Sequence, residues 1–251
     1  MKDSSTYLQK KAFFDKVLTI YGRNAVFEAL NDDSLKIYKL HLSSSNKPAK
    51  IIDDIVSLAD KRDIETIYHD KKSLSRISKN AKQDQGVALD IVLEHFVDED
   101  EFLKQKKGYK ILALDGISNP QNLGMIIRSA TAGDIDAVII PSKGTSAITP
   151  LVIKASVGTI FRMPIIRTSS LTNTLLKFKQ NDTHIYTLSS HALKSYKEEN
   201  YSDRVIFVLG NETIGVSKEV ESISDNAISI PMKRGVESLN VAVTASLLAF
   251  M

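Results

Sequence analysis

The sequence predicts an α/β protein built from two domains. Its 251 residues exceed one ordinary domain, and 43% hydrophobic and 25% charged residues are values typical of globular proteins. Short apolar runs alternate with helical patterns, which predicts strands covered by helices. A hydrophilic stretch over 98–108 separates the two parts. We therefore predict a first domain at residues 1–95, a linker at 96–108 and a second domain at 109–251.

The first domain is predicted to be a small α/β unit. Apolar residues at helical spacing indicate helices over 24–30 and 51–59, and apolar runs indicate strands over 37–42, 65–68 and 87–93. Between the last two strands a stretch of twelve residues has no acid and contains Lys71, Lys72, Arg76, Lys79 and Lys82. Because the net charge of the whole chain is only +3, a site for a polyanion must be a local feature of this kind.

The second domain alternates more regularly between strands and helices. Apolar runs predict strands over 111–114, 137–140, 184–188, 205–209 and 228–230. The helical stretches between them indicate a parallel sheet covered on both faces. The chain then closes on an uncharged helical pattern over 238–251, which is too apolar for a solvated surface helix. This helix is expected in a core or an interface.

Several classes of function are excluded by what the sequence lacks. It has no cysteine, which removes disulfides and thiol nucleophiles and fits a cytoplasmic compartment. No apolar run approaches the ~20 residues that span a bilayer, and the polar N-terminus does not resemble a secretory signal, so no membrane is expected. Glycine-rich dinucleotide and nucleoside-triphosphate motifs are absent, and the five histidines share no metal-ligand spacing. No metal site is predicted.

Three polar loops follow strands of the second domain, where open α/β sheets bind their ligands. The first loop runs over 115–124 into a helix that carries Arg128. Asn122 is predicted to cap that helix, and Gly124 allows a close approach of the backbone. A helix N-terminus beside an arginine favours a phosphate site. A capped helix with a solvated arginine is the alternative for this segment alone.

The second and third loops also combine glycine with polar side chains. The second loop places Asn211 and Glu212 between two glycines directly after a strand. This pattern fits either a tight loop that wraps a polar ligand or an ordinary strand-to-helix turn. The third follows a strand that ends at Pro231. Ser238 is predicted to cap the final helix, which puts Asn240 just inside it, where its amide needs a hydrogen-bonding partner.

Together these loops resemble a known enzyme family. The segments 122–128, 209–215 and 230–242 are similar to the three motifs of the SpoU (TrmH) class of SPOUT RNA ribose methyltransferases, and 154–158 matches a further patch of that pattern. Upstream, 21–30 and 84–88 resemble the ribosomal-protein-like substrate domain of bacterial two-domain 23S rRNA (guanosine-2′-O)-methyltransferases. In one departure, Asp84 stands where a histidine commonly precedes Gln-Gly.

The resemblance implies a fold, a reaction and roles for individual residues. The fold is a parallel-sheet SPOUT domain with a deep trefoil knot, preceded by a small α/β RNA-binding domain, and the protein is a homodimer through its C-terminal domain. The reaction is methylation of a ribose 2′-hydroxyl in ribosomal RNA from S-adenosyl-L-methionine. The implied catalytic residues are Arg128, Asn122, Glu212, Ser238 and Asn240; the cofactor-binding residues are Leu209, Gly210, Ile230, Met232 and Leu239; the RNA-binding residues are Arg23, Lys71, Lys72, Arg76 and Lys79.

Arg128 is expected to act as a clamp on the phosphate next to the target ribose, because an arginine pKa above ~12 makes it a poor base.

The sequence leaves three alternatives to this function. In the first, the chain methylates tRNA; in the second, it is a resistance-type rRNA methylase of the same two-domain plan; in the third, it is an RNA-binding protein of this fold without catalysis.

Overall fold

A computed structural model describes residues 13–14, 16–33, 35–79, 84–93 and 96–251 of the chain. It separates two compact units, Met1–Glu94 and His95–Met251, each with its own sheet. The segment predicted as a linker, 96–108, belongs to the second unit and contains a helix.

In the described residues of the N-terminal unit, a mixed four-stranded sheet is accompanied by three helices of a full turn or more. Its strands are β1 (Val17–Tyr21), β2 (Lys36–Ser43), β3 (Thr66–His69) and β4 (Val87–Val92), and its helices are α1 (Arg23–Leu30), α2 (Lys50–Lys61) and α3 (Lys71–Ser78). The strand order is β1-β4-β2-β3; β4 runs antiparallel to both of its neighbours, and β2 and β3 are parallel. The two helices and three strands predicted for this region are confirmed to within two residues.

Two elements of this unit have weak sequence signals and were not predicted. Strand β1 lies at the sheet edge and pairs only with β4, so that Ile20 is its one fully buried residue. Helix α3 has eight residues, mostly polar, and buries only Leu74 and Ser78. Its first turn is fixed by Asp70, whose side chain accepts hydrogen bonds from the backbone N–H groups of Lys72 and Ser73.

A chain of hydrogen-bonded polar side chains crosses the N-terminal sheet. Thr19 Oγ1 donates to Asp90 Oδ1 at 2.6 Å, and Asp90 Oδ2 lies 3.0 Å from His41 Nε2. The other ring nitrogen of His41 lies 2.9 Å from His69 Nε2. Burial, reinforced by the nearby His41, lowers the pKa of His69, while Asp70 works in the opposite direction. The four side chains, one from each strand, form a continuous polar chain across the sheet.

The C-terminal unit is a parallel sheet, as the sequence predicted, but it has six strands where the sequence predicted five. Its strands are β5 (Tyr109–Leu114), β6 (Ala137–Pro141), β7 (Ile165–Thr168), β8 (His184–Leu188), β9 (Arg204–Leu209) and β10 (Asn226–Ile228). The order is β10-β8-β9-β5-β6-β7. The helices are α4 (Glu99–Gln105), α5 (Pro120–Ala132), α6 (Pro150–Ser156), α7 (Leu171–Lys179), α8 (Lys218–Ile223) and α9 (Val241–Ala249), with a 3₁₀ turn over Thr159–Phe161.

Helix α4 lies within the region predicted as a linker and packs into this unit. Phe102 is 3% exposed, and its ring centroid lies 5.4 Å from that of Tyr109 and 6.2 Å from that of Phe178. Asp98 caps the helix by accepting hydrogen bonds from the backbone of Asp100 and Glu101. A hydrophilic run with one buried aromatic residue is therefore part of the core of the C-terminal unit.

Strand β10 begins and ends two residues before the predicted position, over Asn226–Ile228. Ser229 makes only an isolated bridge to Ser195, and Ile230 has left the sheet. The carboxyl ends of β5, β8, β9 and β10 consequently release four loops at one edge of the sheet. That edge carries the candidate site.

Candidate functional site

Helix α5 starts at Pro120 and is capped by Asn119, not by Asn122 as predicted. Asn119 Oδ1 accepts hydrogen bonds from the backbone N–H groups of Gln121 at 2.9 Å and Asn122 at 3.4 Å. Proline in the first helical position fits this start, since it has no N–H to satisfy. The side chain of Asn122 is thereby free of the cap and is 5% exposed. It turns to other partners.

Asn122, Glu212 and Asn240 form one hydrogen-bonded cluster. Asn122 Nδ2 donates to Glu212 Oε1. Asn240 Nδ2 donates to Asn122 Oδ1 at 3.1 Å and lies 3.3 Å from Glu212 Oε1. One carboxylate oxygen thus receives two amide groups from opposite sides. The structure brings together three predicted catalytic residues, one from each of the three loops.

The second loop is a closed ring with no room for side chains at its base. Asn211 and Gly215 exchange both backbone hydrogen bonds at 2.9 Å, and Asn211 Oδ1 accepts from the backbone of Thr213. A Cβ on Gly210 would lie 2.2 Å from the backbone of Gly215. Asn211 Nδ2 also donates to Gly116 O at 2.9 Å, which joins this loop to the first. The ring therefore presents Glu212 from a rigid frame.

The third loop leads into helix α9, which starts at Val241. Asn240 is its cap, accepting a hydrogen bond from Ala242 N at 2.8 Å. The predictions that Ser238 caps this helix and that Asn240 lies inside it were wrong. The oxygen of the Asn240 side chain serves the cap and its nitrogen serves the cluster, so one residue fixes both the helix start and the site. Ser238 lies two residues earlier, exposed at the surface of a cavity.

The ends of β8 and β9 and the third loop surround a cavity of about 350 Å³. All five residues predicted to bind the cofactor line it, and so do two of the predicted catalytic residues. The first set is Leu209, Gly210, Ile230, Met232 and Leu239, and the second is Glu212 and Ser238. Asn122 and Asn240 do not line the cavity and reach it through Glu212. The lining combines apolar side chains with backbone from the closed ring.

The charge of the cavity is one-sided. Glu212, Glu221 and Glu237 line it, and among its lining residues in the described part of the chain there is no lysine or arginine. Such a site suits a ligand that carries positive charge and is unfavourable for a phosphate group. The ligand it fits has an apolar, hydrogen-bonding body and a cationic part.

Sequence reasoning missed the loop after β8. Ser189, Ser190 and His191 line the cavity, as does Thr244 on the first turns of α9. A signal for the loop was present, since a polar segment follows the predicted strand 184–188 as the other loops follow theirs. Thr244 has no such signal, because it lies within an apolar helix.

Arg128 lies apart from the cavity on the exposed face of α5. It is six residues beyond Asn122, roughly 9 Å further along the helix axis. Gly124 lies between them and sets how closely α5 packs on α6. A Cβ on Gly124 would lie 2.5 Å from Ala155 Cβ and 2.6 Å from Val152 O. The patch predicted at 154–158 is thus the end of α6 that packs against Gly124.

The predicted RNA-binding residues lie in the N-terminal unit. Arg23 and Lys71 line a cleft there, whereas Lys72, Arg76 and Lys79 do not. Asp84 also lines this cleft but is only 4% exposed. Over the described ranges 13–14, 16–33, 35–79, 84–93 and 96–251, no group of three or more His, Asp or Glu side chains is placed to hold a metal ion. In the same ranges no helix has the length and apolar character to cross a membrane.

Comparison with known proteins gives matches over both units. The SpoU rRNA methylase family matches residues 109–250, and the family described as RNA 2′-O ribose methyltransferase substrate binding matches residues 19–96. A Staphylococcus saprophyticus protein named for the TrmH family of tRNA/rRNA methyltransferases is 34% identical over 237 residues, 93% of this chain and 94% of its own.

Two solved structures share the fold over nearly the whole length. The SpoU methyltransferase AviRb from Streptomyces viridochromogenes, in complex with AdoMet, has a TM-score of 0.67 and 18% identity and covers 98% of this chain and 91% of its own. An AdoMet-bound rRNA methyltransferase from Sinorhizobium meliloti has a TM-score of 0.64 and 20% identity, over 96% and 88%. With one residue of each motif joined in the cluster beside the cavity, the chain belongs to the SpoU rRNA methylase family and is an RNA methyltransferase that carries a substrate-binding unit ahead of the methylase unit.

Proposed function

We propose that this protein transfers a methyl group from S-adenosyl-L-methionine to a ribose 2′-hydroxyl of ribosomal RNA. The observation that carries the proposal is a cavity with acidic and apolar lining next to the cluster of Asn122, Glu212 and Asn240. That cluster takes one residue from each of the three family motifs. In this assignment residues 109–251 hold the cofactor and perform the transfer, and residues 1–95 recognise the RNA.

The residues of the cavity fit S-adenosyl-L-methionine. Its adenine has flat apolar faces and polar edges, which suit the side chains of Leu209, Ile230 and Leu239 and the backbone at Gly210. Its sulfonium and ammonium groups are cations, which the acidic lining favours. The two structural neighbours are described as AdoMet complexes, which supports the same ligand here. A nucleoside triphosphate fits poorly, because its negative phosphates would be repelled by the three glutamates that line the cavity.

The chemistry divides between the bound cofactor and the chain. When bound, S-adenosyl-L-methionine supplies a methyl group already activated as a sulfonium. The chain must then align the 2′-hydroxyl with that methyl group and assist the loss of the hydroxyl proton. Glu212 and Ser238 line the cavity and are the polar groups within it that belong to the predicted catalytic set, and Asn122 and Asn240 hold Glu212 in place.

Arg128 has a different role in this proposal. It is exposed, away from the cavity, and its guanidinium is permanently charged. We assign it to the phosphate next to the target ribose, where it holds the nucleotide and stabilises negative charge that develops on the 2′-oxygen. A planar fork of donors suits a phosphate better than a lysine ammonium does.

Ribosomal RNA is preferred to tRNA because of the N-terminal unit. The described rRNA methyltransferase from S. meliloti covers 96% of this chain and therefore includes a counterpart of that unit. The relative from S. saprophyticus is named for both RNA classes, so tRNA remains the alternative substrate. A resistance-type rRNA methylase would show the same reaction and differ only in the nucleotide it modifies.

We infer in addition a trefoil knot and a homodimer for the C-terminal unit. The knot is supported by the return of the chain from edge strand β10 to α9, which packs on central helix α5 through Ser129 Oγ and Ser246 Oγ at 2.8 Å. The dimer is supported by large apolar side chains that stay exposed on α5, on α9 and at the residue that ends α9, although most of α9 is buried within its own unit. They are Met125, Val243 and Phe250, with exposed fractions of 45%, 43% and 65%.

The test has a binding part and a reaction part. Calorimetry of the full chain with S-adenosyl-L-methionine should give heat and saturation, and mapping of 2′-O-methylation in rRNA and tRNA, with and without the protein, should reveal one methylated ribose in rRNA. Binding without any methylated ribose would favour the non-catalytic alternative. If tRNA is methylated instead, tRNA is the substrate and the assignment to rRNA is wrong. If S-adenosyl-L-methionine does not bind, the assignment of the cofactor is wrong. Light scattering at micromolar concentration should give the mass of a dimer.

A further inference from the structure

The N-terminal unit contains a cleft of about 750 Å³ where the beginnings of its three helices meet. Arg23 is the first residue of α1, Ala49 directly precedes α2, and Lys71 is the first residue of α3, and all three line the cleft. Helix N-termini carry partial positive charge. This arrangement favours negative charge in the cleft, and the side chains around it act in the same direction.

Positive side chains outnumber acids among the residues that line the cleft. Arg23, Lys47 and Lys71 are its cations, and Asp84 is its one acid among the described residues. Asp84 is buried, and both of its oxygens are engaged. Oδ1 accepts from Gly86 N–H at 3.0 Å, and Oδ2 accepts from the hydroxyl of Ser78 at 3.1 Å. The cleft is therefore a cationic site, the opposite of the glutamate-lined cavity in the C-terminal unit.

One wall of the cleft is a tight turn held in one conformation. Gln85 and Gly86 both have left-handed backbones, with φ of 52° and 77°. Arg23 Nε donates to Gln85 O at 3.1 Å, and Asn46 Nδ2 donates to Gly86 O at 2.9 Å. A Cβ on Gly86 would lie 1.9 Å from Asn46 Oδ1. The left-handed backbone of Gln85, which is unusual for a residue other than glycine, is held by these bonds, and such held conformations cluster at binding sites. Asp84 positions the turn through its bond to Gly86.

We infer that this cleft holds one unpaired nucleotide of the RNA substrate. The phosphate lies among Lys47, Lys71 and Arg23, and the edge of the base lies against the amides of Asn46 and Gln85. The volume is in the range of ~300–1,000 Å³ typical of small-ligand sites, and apolar Leu74 at its floor suits a base. Proteins read RNA sequence mostly in unpaired loops, because side chains cannot enter the deep, narrow major groove of an A-form duplex. The inference rests on the proposed function, which supplies RNA as the partner.

The test compares lysines at the two ends of helix α2. Lys47 lines the cleft just before the helix, and Lys61 is exposed in its last turn, about 18 Å away along the axis. Binding of the full chain is measured by fluorescence anisotropy with two RNAs, an rRNA hairpin with an unpaired loop and the same stem as an uninterrupted duplex. Lys47→Ala and Lys71→Ala should each raise Kd for the hairpin about tenfold and lower its salt slope by roughly 0.7, with less than a twofold change for the duplex.

Lys61→Ala should behave as wild type on both RNAs. If Lys47→Ala and Lys61→Ala are indistinguishable on the hairpin, the cleft does not hold the nucleotide. If Lys47→Ala weakens binding of the hairpin and of the duplex equally, Lys47 contacts the backbone of the duplex and the inference is also overturned. Thermal denaturation checks that each variant is folded. Because the assay requires no methyl transfer, a wild-type protein that binds the hairpin but methylates no RNA would contradict the proposed function and leave this comparison intact.

Discussion

Reversing the hydrogen bond between Asn122 and Glu212 tests whether their cluster holds the site together. Asn122→Asp replaces the donating amide by a carboxylate that faces another carboxylate. Glu212→Gln has nearly the same shape and can still accept through its oxygen. The double variant restores a donor–acceptor pair with the direction reversed, and Asn240 can donate to the new carboxylate at position 122.

The expected magnitude follows from three contributions. Asn122→Asp removes a hydrogen bond to a charged acceptor, about 1.5–3 kcal/mol. Two carboxylates at ~3 Å repel by roughly 5 kcal/mol at an effective dielectric constant of 20. The pair can avoid this repulsion if one of the two carboxyl groups takes up a proton. An ordinary carboxyl has a pKa about three units below pH 7, so protonating it costs about 4 kcal/mol at 1.36 kcal/mol per unit, and the repulsion cannot cost more than that. Glu212 is exposed, so solvent screens the repulsion and we expect a net loss of about 2–4 kcal/mol.

The assay is urea denaturation of the four proteins followed by circular dichroism, with S-adenosyl-L-methionine affinity measured in parallel. Glu212→Gln alone should cost less than about 1 kcal/mol, and the double variant should recover at least about 1.5 kcal/mol of the loss. Asn119→Asp is the control, because aspartate caps a helix as well as asparagine and does not face Glu212. A double variant whose loss equals the sum of the single losses would refute the cluster as a coupled unit.

Three further predictions concern other parts of the chain. Arg128→Ala should lower methyl transfer ~30- to 1,000-fold, a loss of about 2–4 kcal/mol, with S-adenosyl-L-methionine affinity unchanged within a few-fold and little rescue by Arg128→Lys; a matching loss of affinity would contradict the phosphate role. Because burial and His41 lower the pKa of His69, the unfolded chain binds more protons below pH 6.5, so the free energy of unfolding should fall as pH decreases from 7 to 5. His69→Asn should flatten that profile in thermal denaturation, and an unchanged slope would show that another group is responsible. Gly210→Ala should abolish cofactor binding in calorimetry, since its Cβ would lie 2.2 Å from backbone of Gly215, and retained binding would mean that the ring opens easily.

The sequence predicted the C-terminal unit better than the N-terminal one for a physical reason. Strands β5, β6 and β9 are buried on both faces, so they appear as continuous apolar runs. Edge strand β1 and helix α3 bury few residues each, which leaves little periodic signal. Strand β7, at one edge of the C-terminal sheet, was missed because its four residues are too few for a periodic signal.

The candidate site shows a similar division. Its residues could be located because parallel strands place their following loops at one edge of the sheet. The helix caps were misplaced by three residues at α5 and by two at α9. At α5 the signal for the true start was present, since Asn119 directly precedes Pro120. The polar chain through His41, His69 and Asp90 had no signal, because it joins residues 28 and 49 positions apart through tertiary packing.

The separation of the cluster along the chain has a consequence for folding kinetics. Asn122 meets Glu212 across 90 residues and Asn240 across 118, so these contacts require the closure of very long loops. Contacts of high sequence separation in a parallel sheet form slowly. The sheet core can assemble before α9 docks, and the bonds of Asn240 then form on the native side of the transition state. Asn240→Ala should accelerate unfolding and leave the refolding rate nearly unchanged, which places the activity of this enzyme among the last properties to appear as a new chain folds.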